Sequence, residues 1–187
     1  MKLENSFEVA APRQAAWDLL MDVPRVVPCM PGAELTETVS DDAWKAKMAV
    51  KLGPIALTFN TDVTREAVDQ AAGSVTLSAK AKEARGRGGA QAQIVSSLTD
   101  VGGRTRIDIV TDLALSGAVA QYGRGIVQDV SAQLVQKFAE CLEAQLVAAT
   151  PEEAQHAIEE AAKPVSGLSL GLGAIWRSIL RLFGRKA

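Results

Sequence analysis

The sequence predicts an α+β domain in which a curved antiparallel sheet of about seven strands wraps a long C-terminal helix, followed by a tethered amphipathic tail helix. Three observations carry this. Residues Ser116–Leu146 read as one helix without an internal proline, and Val119, Tyr122, Ile126, Val130, Leu134 and Cys141 recur on one of its faces. The chain from Glu34 to Leu115 alternates apolar and polar residues between short turn signals, as half-buried strands do. Residues from Leu172 to Arg185 segregate apolar from basic side chains at helical spacing.

Taken in order, Leu3, Phe7 and Val9 share one parity and Lys2, Glu4, Ser6 and Glu8 the other, which predicts a first strand. Pro12 stands where a helix can begin, and Ala15, Trp17, Leu19 and Leu20 follow in a short helical segment. Pro24, Pro28 and Pro31 restrict the next helical turns to short ones, and Pro31-Gly32 marks a tight turn. Trp44, Ala46, Met48 and Val50 then alternate with lysines up to a Gly53-Pro54 turn. Three more alternating runs follow, through Ile55–Val63, Val75–Ala81 and Thr105–Leu115, with Ile94, Ser96 and Leu98 part of another. Short turns imply antiparallel pairing. One face of such a sheet is apolar and needs a cover, and the long helix is the only element large enough to supply it. Ser116 is its expected N-cap, since a serine hydroxyl can accept from an orphan backbone N–H.

The chain has 187 residues, enough for one domain with a good core and an appendage. We divide it into a ligand-binding domain over residues 1–147, a flexible Ala/Glu-rich linker over 148–167 and a basic membrane-interacting tail over 168–187. Residues 1–147 hold 15 basic against 18 acidic groups, whereas residues 164–187 hold 4 basic and no acidic ones. A near-neutral body without a basic stripe argues against a nucleic-acid partner, and a basic end suits an anionic membrane surface. Cys29 and Cys141 match no metal spacing and read as reduced thiols of a cytosolic protein. MKLENSFEVA lacks an apolar signal-peptide core. His156, the only histidine, falls in the charged linker, so no Ser/His/Asp or Cys/His constellation can form within the domain.

A set of ordered motifs links the chain to a family. They are Pro12 with Trp17-Asp18-Leu19-Leu20-Met21-Asp22, Cys29-Met30-Pro31-Gly32-Ala33, Leu52-Gly53-Pro54-Ile55, Gly86-Arg87-Gly88-Gly89-Ala90, Gly103-Arg104-Thr105 and Gly117-Ala118-Val119-Ala120-Gln121-Tyr122-Gly123. Together, over roughly residues 2–146, they resemble the CoxG family of carbon monoxide dehydrogenase subunits, within the START/polyketide-cyclase (SRPBCC) superfamily. The resemblance implies a helix-grip fold. It also implies a non-enzymatic accessory protein that links a molybdenum-containing CO dehydrogenase, or a related hydroxylase, to the membrane.

The space between sheet and helix is either packed by side chains or left as an apolar pocket. Small inward residues such as Ala46, Ala79, Ala81 and Ser96 favour a pocket. Candidate ligand-binding residues are Met30 and Pro31 from the proline-rich loop, Trp44, Met48 and Phe59 from the strands, and Val119, Tyr122, Gly123, Ile126 and Val130 from the helix. Each in-helix glycine costs about 1 kcal/mol relative to alanine, so Gly123 and Gly125 imply that a packed strand, a ligand or a partner passes close to the backbone. The Arg85-Gly86-Arg87-Gly88-Gly89 run lacks the ending of a phosphate loop and reads as a strand start with a bulge. No metal or resident cofactor is expected. The ligand inferred from pocket, tail and partner is a respiratory quinone, menaquinone or ubiquinone. A recruitment module with a filled cavity is the alternative, and a START-type cyclase or hydrolase a weaker one.

In the tail, Leu172, Ile175, Trp176, Ile179, Leu180, Leu182 and Phe183 fall on one side and Arg177, Arg181 and Arg185 on the other, with Lys186 beyond the pattern. From Leu172 to Phe183 a helix rises about 18 Å, too short to span a bilayer. Arginines opposite aromatic residues suit a helix lying in the membrane interface. Docking into a groove of this protein or of a partner is the alternative. The expected location is cytoplasmic, at the inner face of the cell membrane.

Overall fold

The computed structural model of the chain describes residues 1–52, 55–148 and 151–161. The Gly53-Pro54 turn and the whole tail, including every membrane-binding candidate from Leu172 to Lys186, lie outside the described residues. Strand β1 (Lys2–Val9) leads into helices α1 (Arg13–Met21) and α2 (Val23–Val26) and a 3-10 turn, Val27–Cys29. Six strands follow: β2 (Ala33–Ser40), β3 (Ala43–Leu52), β4 (Ile55–Asp69), β5 (Ser74–Glu83), β6 (Gly88–Asp100) and β7 (Thr105–Gly117). A second 3-10 turn, Ala118–Tyr122, precedes the long helix α3 (Gly123–Val147) and then α4 (Pro151–Ala161).

The strands form one antiparallel sheet in the order β1-β7-β6-β5-β4-β3-β2. β2 to β7 is a meander, and β1 extends it by pairing with β7, with Phe7 opposite Ile107. Register shifts at Leu35/Glu37, Thr38/Ser40 and Arg65/Ala67 sharpen the curl of the sheet. Because β1 and β2 are opposite edges, the chain between them must cross the concave face, and α1 is the element packed beneath it. Trp17, Ala16 and Leu19 of α1 join Val9, Val75, Leu98 and Ile107 of the strands and Phe138 and Leu142 of α3 in a buried cluster. Phe7 and Phe138 meet edge to face at 6.2 Å. The Thr105 hydroxyl, fully buried, donates to the Ala11 carbonyl at 2.7 Å and fixes the exit of β1.

The predicted helix is found with a later start. Ser116 still belongs to β7, and its hydroxyl donates to Gly89 O at 3.3 Å instead of capping a helix. Gly117 and Gly123, at φ of 65° and 75°, isolate Ala118–Tyr122 as a separate turn. The helix also covers less of the sheet than expected. Among the strands it packs chiefly along β1, and its buried residues, Phe138, Cys141 and Leu142, all belong to its second half.

The cysteine expectation is corrected. Cys29 and Cys141 are joined by a disulfide, with Cα atoms 5.4 Å apart across 112 residues of sequence. The return of α3 past the 3-10 turn brings them together, and the Gln145 amide donates to Cys29 Sγ at 2.9 Å. At 0% and 3% exposure the bond is shielded from thiol reductants. Alkylation in denaturant without reductant should leave the mass unchanged. Reduction should then lower stability by about 2–4 kcal/mol, the usual effect of a disulfide closing a long loop. Alkylated cysteines before reduction would show the pair unbridged.

The linker, expected as a flexible tether with helix over part of it, contains α4. This helix packs on α3 and the first 3-10 turn, and its Ile158 lies against the main cluster. His156 is exposed on it.

Candidate functional site

Two separate apolar clusters leave a gap between them. The first is the α1–α3 cluster above. The second lies toward the other ends of the central strands, where Leu57 and Phe59 of β4 and Val119 are buried with Met48, Val50, Leu115 and Tyr122 around them. Between the two, the inward-parity residues Thr61, Ala79, Ala92, Ile94 and Leu113 are only half-buried. Over this stretch the first half of α3 offers no tight cover: Ile126 is 47% exposed, and a Cβ added at Gly123 or Gly125 would meet nothing within 4 Å. The concave face is therefore an open apolar trough, floored by small side chains and closed at each end by a packed cluster. Two further crevices, of about 350 and 270 Å³, run along the seam between β1 and α3. The Asn5 side chain, which donates to Ser131 Oγ at 3.2 Å, borders both.

The predicted site residues separate accordingly. Met48, Phe59, Val119 and Tyr122 come together in the second cluster. Met30 packs instead against the first cluster, so it and Tyr122 do not form one mouth. Pro31 is fully buried, and the following Gly32 accepts from the Ala49 amide at 2.8 Å, which staples the loop to β3. Trp44 is sealed at 4% exposure beneath the Arg65 guanidinium, 5.2 Å from its ring. Arg65 is held there by Asp42 at 2.7 Å and the Met21 carbonyl at 3.2 Å. Val130 is half-buried. The close packing expected at the helix glycines is absent around both: Gly123 serves its positive φ at the helix start, and Gly125 faces open space.

The glycine-rich run holds a feature that its spacing alone did not suggest. β6 starts at Gly88, and its register with β5 and β7 is unbroken, so there is no bulge. The glycines serve close approach instead: a Cβ at Gly89 would lie 2.6 Å from Ala81 O, and one at Gly88 would overlap Ser116 O. The Glu83 carboxylate, 1% exposed, accepts from the Arg85 amide at 2.8 Å, the Arg87 amide at 3.1 Å and Arg87 Nη2 at 3.1 Å. An internal carboxylate thus occupies the loop amides that a phosphate would need. The Arg87 hydrogen bond, with the two amides, holds the Glu83 carboxyl below the ordinary range, and Glu83 in turn raises Arg87. The readable signal was a glutamate four residues before an arginine across a glycine turn.

Residues 6–147 match the family described as the CoxG subunit of carbon monoxide dehydrogenase. The chain belongs to this family. Solved structures give the same fold. A conserved protein from Geobacillus kaustophilus is 18% identical at a TM-score of 0.67, over 86% of this chain and 97% of that one. TTHA0849 from Thermus thermophilus is 13% identical at 0.58, over 80% and 99%. A START superfamily protein from Mycobacterium smegmatis is 15% identical at 0.51, over 78% and 96%. No curated protein matches the chain in sequence. The fold is thus the helix-grip fold of the START/SRPBCC superfamily, and CoxG membership associates the chain with CO dehydrogenase as an accessory subunit. Among the described residues no helix is long and apolar enough to cross a membrane.

Proposed function

We propose that this CoxG protein is a non-enzymatic adaptor and lipophilic-ligand carrier. It would bring a molybdenum hydroxylase of the CO dehydrogenase type to the cytoplasmic face of the membrane and bind a respiratory quinone. The observation that carries the ligand reading is the apolar trough left half-exposed between two packed clusters. A filled interior would bury Ile94, Leu113 and Ala79 as it buries Leu98 and Ile107. The tail's basic and apolar faces support membrane contact. Quinone follows from the partner's chemistry. Electrons leaving such an enzyme must reach the respiratory chain, whose mobile membrane acceptor is a quinone. Mass spectrometry of an organic extract of the purified full-length protein tests this. Menaquinone or ubiquinone near one equivalent is the expected result. An extract without quinone, and no uptake of added quinone, would leave the recruitment adaptor alone.

A further inference from the structure

The Glu83–Arg87 pair at the end of the trough has a use in this reading: the glutamate side chain is 1% exposed, whereas the arginine, at 35%, also reaches solvent. Glu83 stands opposite Phe59 in the β4–β5 register, and Arg87 Nη2 also donates to Ala56 O at 3.2 Å, beside Leu57. Both neighbours belong to the second cluster, against which Tyr122 also packs. A guanidinium has five N–H donors. Those on Nη2 are committed to Glu83 and Ala56, Nη1 makes no hydrogen bond among the described residues, and Nε is buried without a partner. A second buried polar atom without a partner, Thr61 Oγ1, lies at inward parity two residues beyond Phe59. An apolar end wall with an unspent donor favours an arriving acceptor atom, because an unpaired buried donor is unfavourable.

We propose that Arg87, held by Glu83, is the polar anchor of the trough, and that it selects apolar ligands whose head group is a neutral carbonyl oxygen over ligands with an anionic head. The proposal rests on the carrier reading above. Selectivity follows from charge. Arg87 and Glu83 together are neutral, and the buried Glu83 carboxylate already accepts from the Arg85 and Arg87 amides and Arg87 Nη2. A carboxylate or phosphate head would place a second anion beside Glu83 with no unspent positive charge to offset it. A quinone-type carbonyl brings only an acceptor lone pair, which the free guanidinium N–H groups and the Tyr122 hydroxyl can meet. The arrangement thus sets a neutral ring carbonyl apart from a fatty acid of equal length.

Calorimetric titration of the full-length protein with decylubiquinone, dodecanoate and dodecanol tests it. The parent should bind decylubiquinone more tightly than dodecanoate. Arg87→Lys should weaken decylubiquinone about tenfold, the worth of one charge-assisted hydrogen bond, and weaken dodecanol in the same direction, since its hydroxyl oxygen is also an acceptor. Glu83→Gln should reverse the order by freeing the guanidinium charge for dodecanoate. Arg87→Met/Glu83→Met leaves no buried unpaired charge, so it covers the case in which a single variant fails to melt cooperatively, and it should bind both probes without discrimination. A parent that prefers dodecanoate, or an Arg87→Lys protein with undiminished quinone affinity, would overturn the anchor while the carrier reading stands. A parent that takes up none of the three probes would overturn both.

Discussion

Deleting residues 165–187 is expected to abolish co-flotation of the protein with vesicles containing anionic lipid, and to leave the unfolding transition of the remaining chain in place. The described packing ends at α4, whose Ile158 touches the main cluster and is retained by the truncation. What is lost are four basic residues, Arg177, Arg181, Arg185 and Lys186, and the apolar set around Trp176 and Phe183. Each basic residue near an anionic surface contributes about 1 kcal/mol, so replacing the three arginines by glutamate in the full-length chain should weaken binding at least about a hundredfold. Salt separates the two contributions. Raising ionic strength toward 1 M shortens the screening length to about 3 Å and should remove the basic contribution while leaving the apolar one. Undiminished flotation of the truncated protein would locate membrane contact in the folded domain or remove it from the function. Complete release of the full-length protein by salt would reduce the tail to an electrostatic tether.

The sheet was legible because its signal is local and repeated: Trp44 to Val50 and Thr105 to Leu115 alternate with a period of two. The onset of α3 was not, because Val119 and Tyr122 continue the helical spacing of Ile126 and Val130 although they belong to another turn. The available signal was the pair of glycines bracketing Ala118–Tyr122, which both take positive φ. The disulfide was illegible for a different reason: contact across 112 residues leaves no periodic trace in the chain. The incomplete cover of the sheet was half visible. Ala46, Ala79 and Ala81 announced small inward residues, but periodicity reports only which face is apolar, not whether another element reaches it. Glu83 and Arg87 were hidden by the glycines around them, whose spacing speaks of the backbone and not of the side chains it positions.

Filling the trough is the decisive test of a carrier. Ala79 and Ala92 face each other across β5 and β6 on the concave side, and both are half-buried. Ala79→Trp should place an indole along the floor between the two clusters. In a complete core such an insertion costs about 1–3 kcal/mol. Over an open trough it should cost less, because the indole displaces solvent from apolar surface. The expected outcome is a near-parental melting temperature together with loss of decylubiquinone uptake, measured on the same preparation. Ile126→Trp offers a second position, on the first half of α3: Ile126 is 47% exposed, so the larger ring has room. Its uptake should fall by less than that of Ala79→Trp, since an exposed helix side chain can turn away from an entering ligand and a floor residue cannot. If Ala79→Trp instead unfolds at markedly lower temperature, the strands and α3 pack closely in solution. If it takes up quinone as the parent does, the ligand lies elsewhere, with the β1–α3 seam around Asn5 and Ala132 the next place to block.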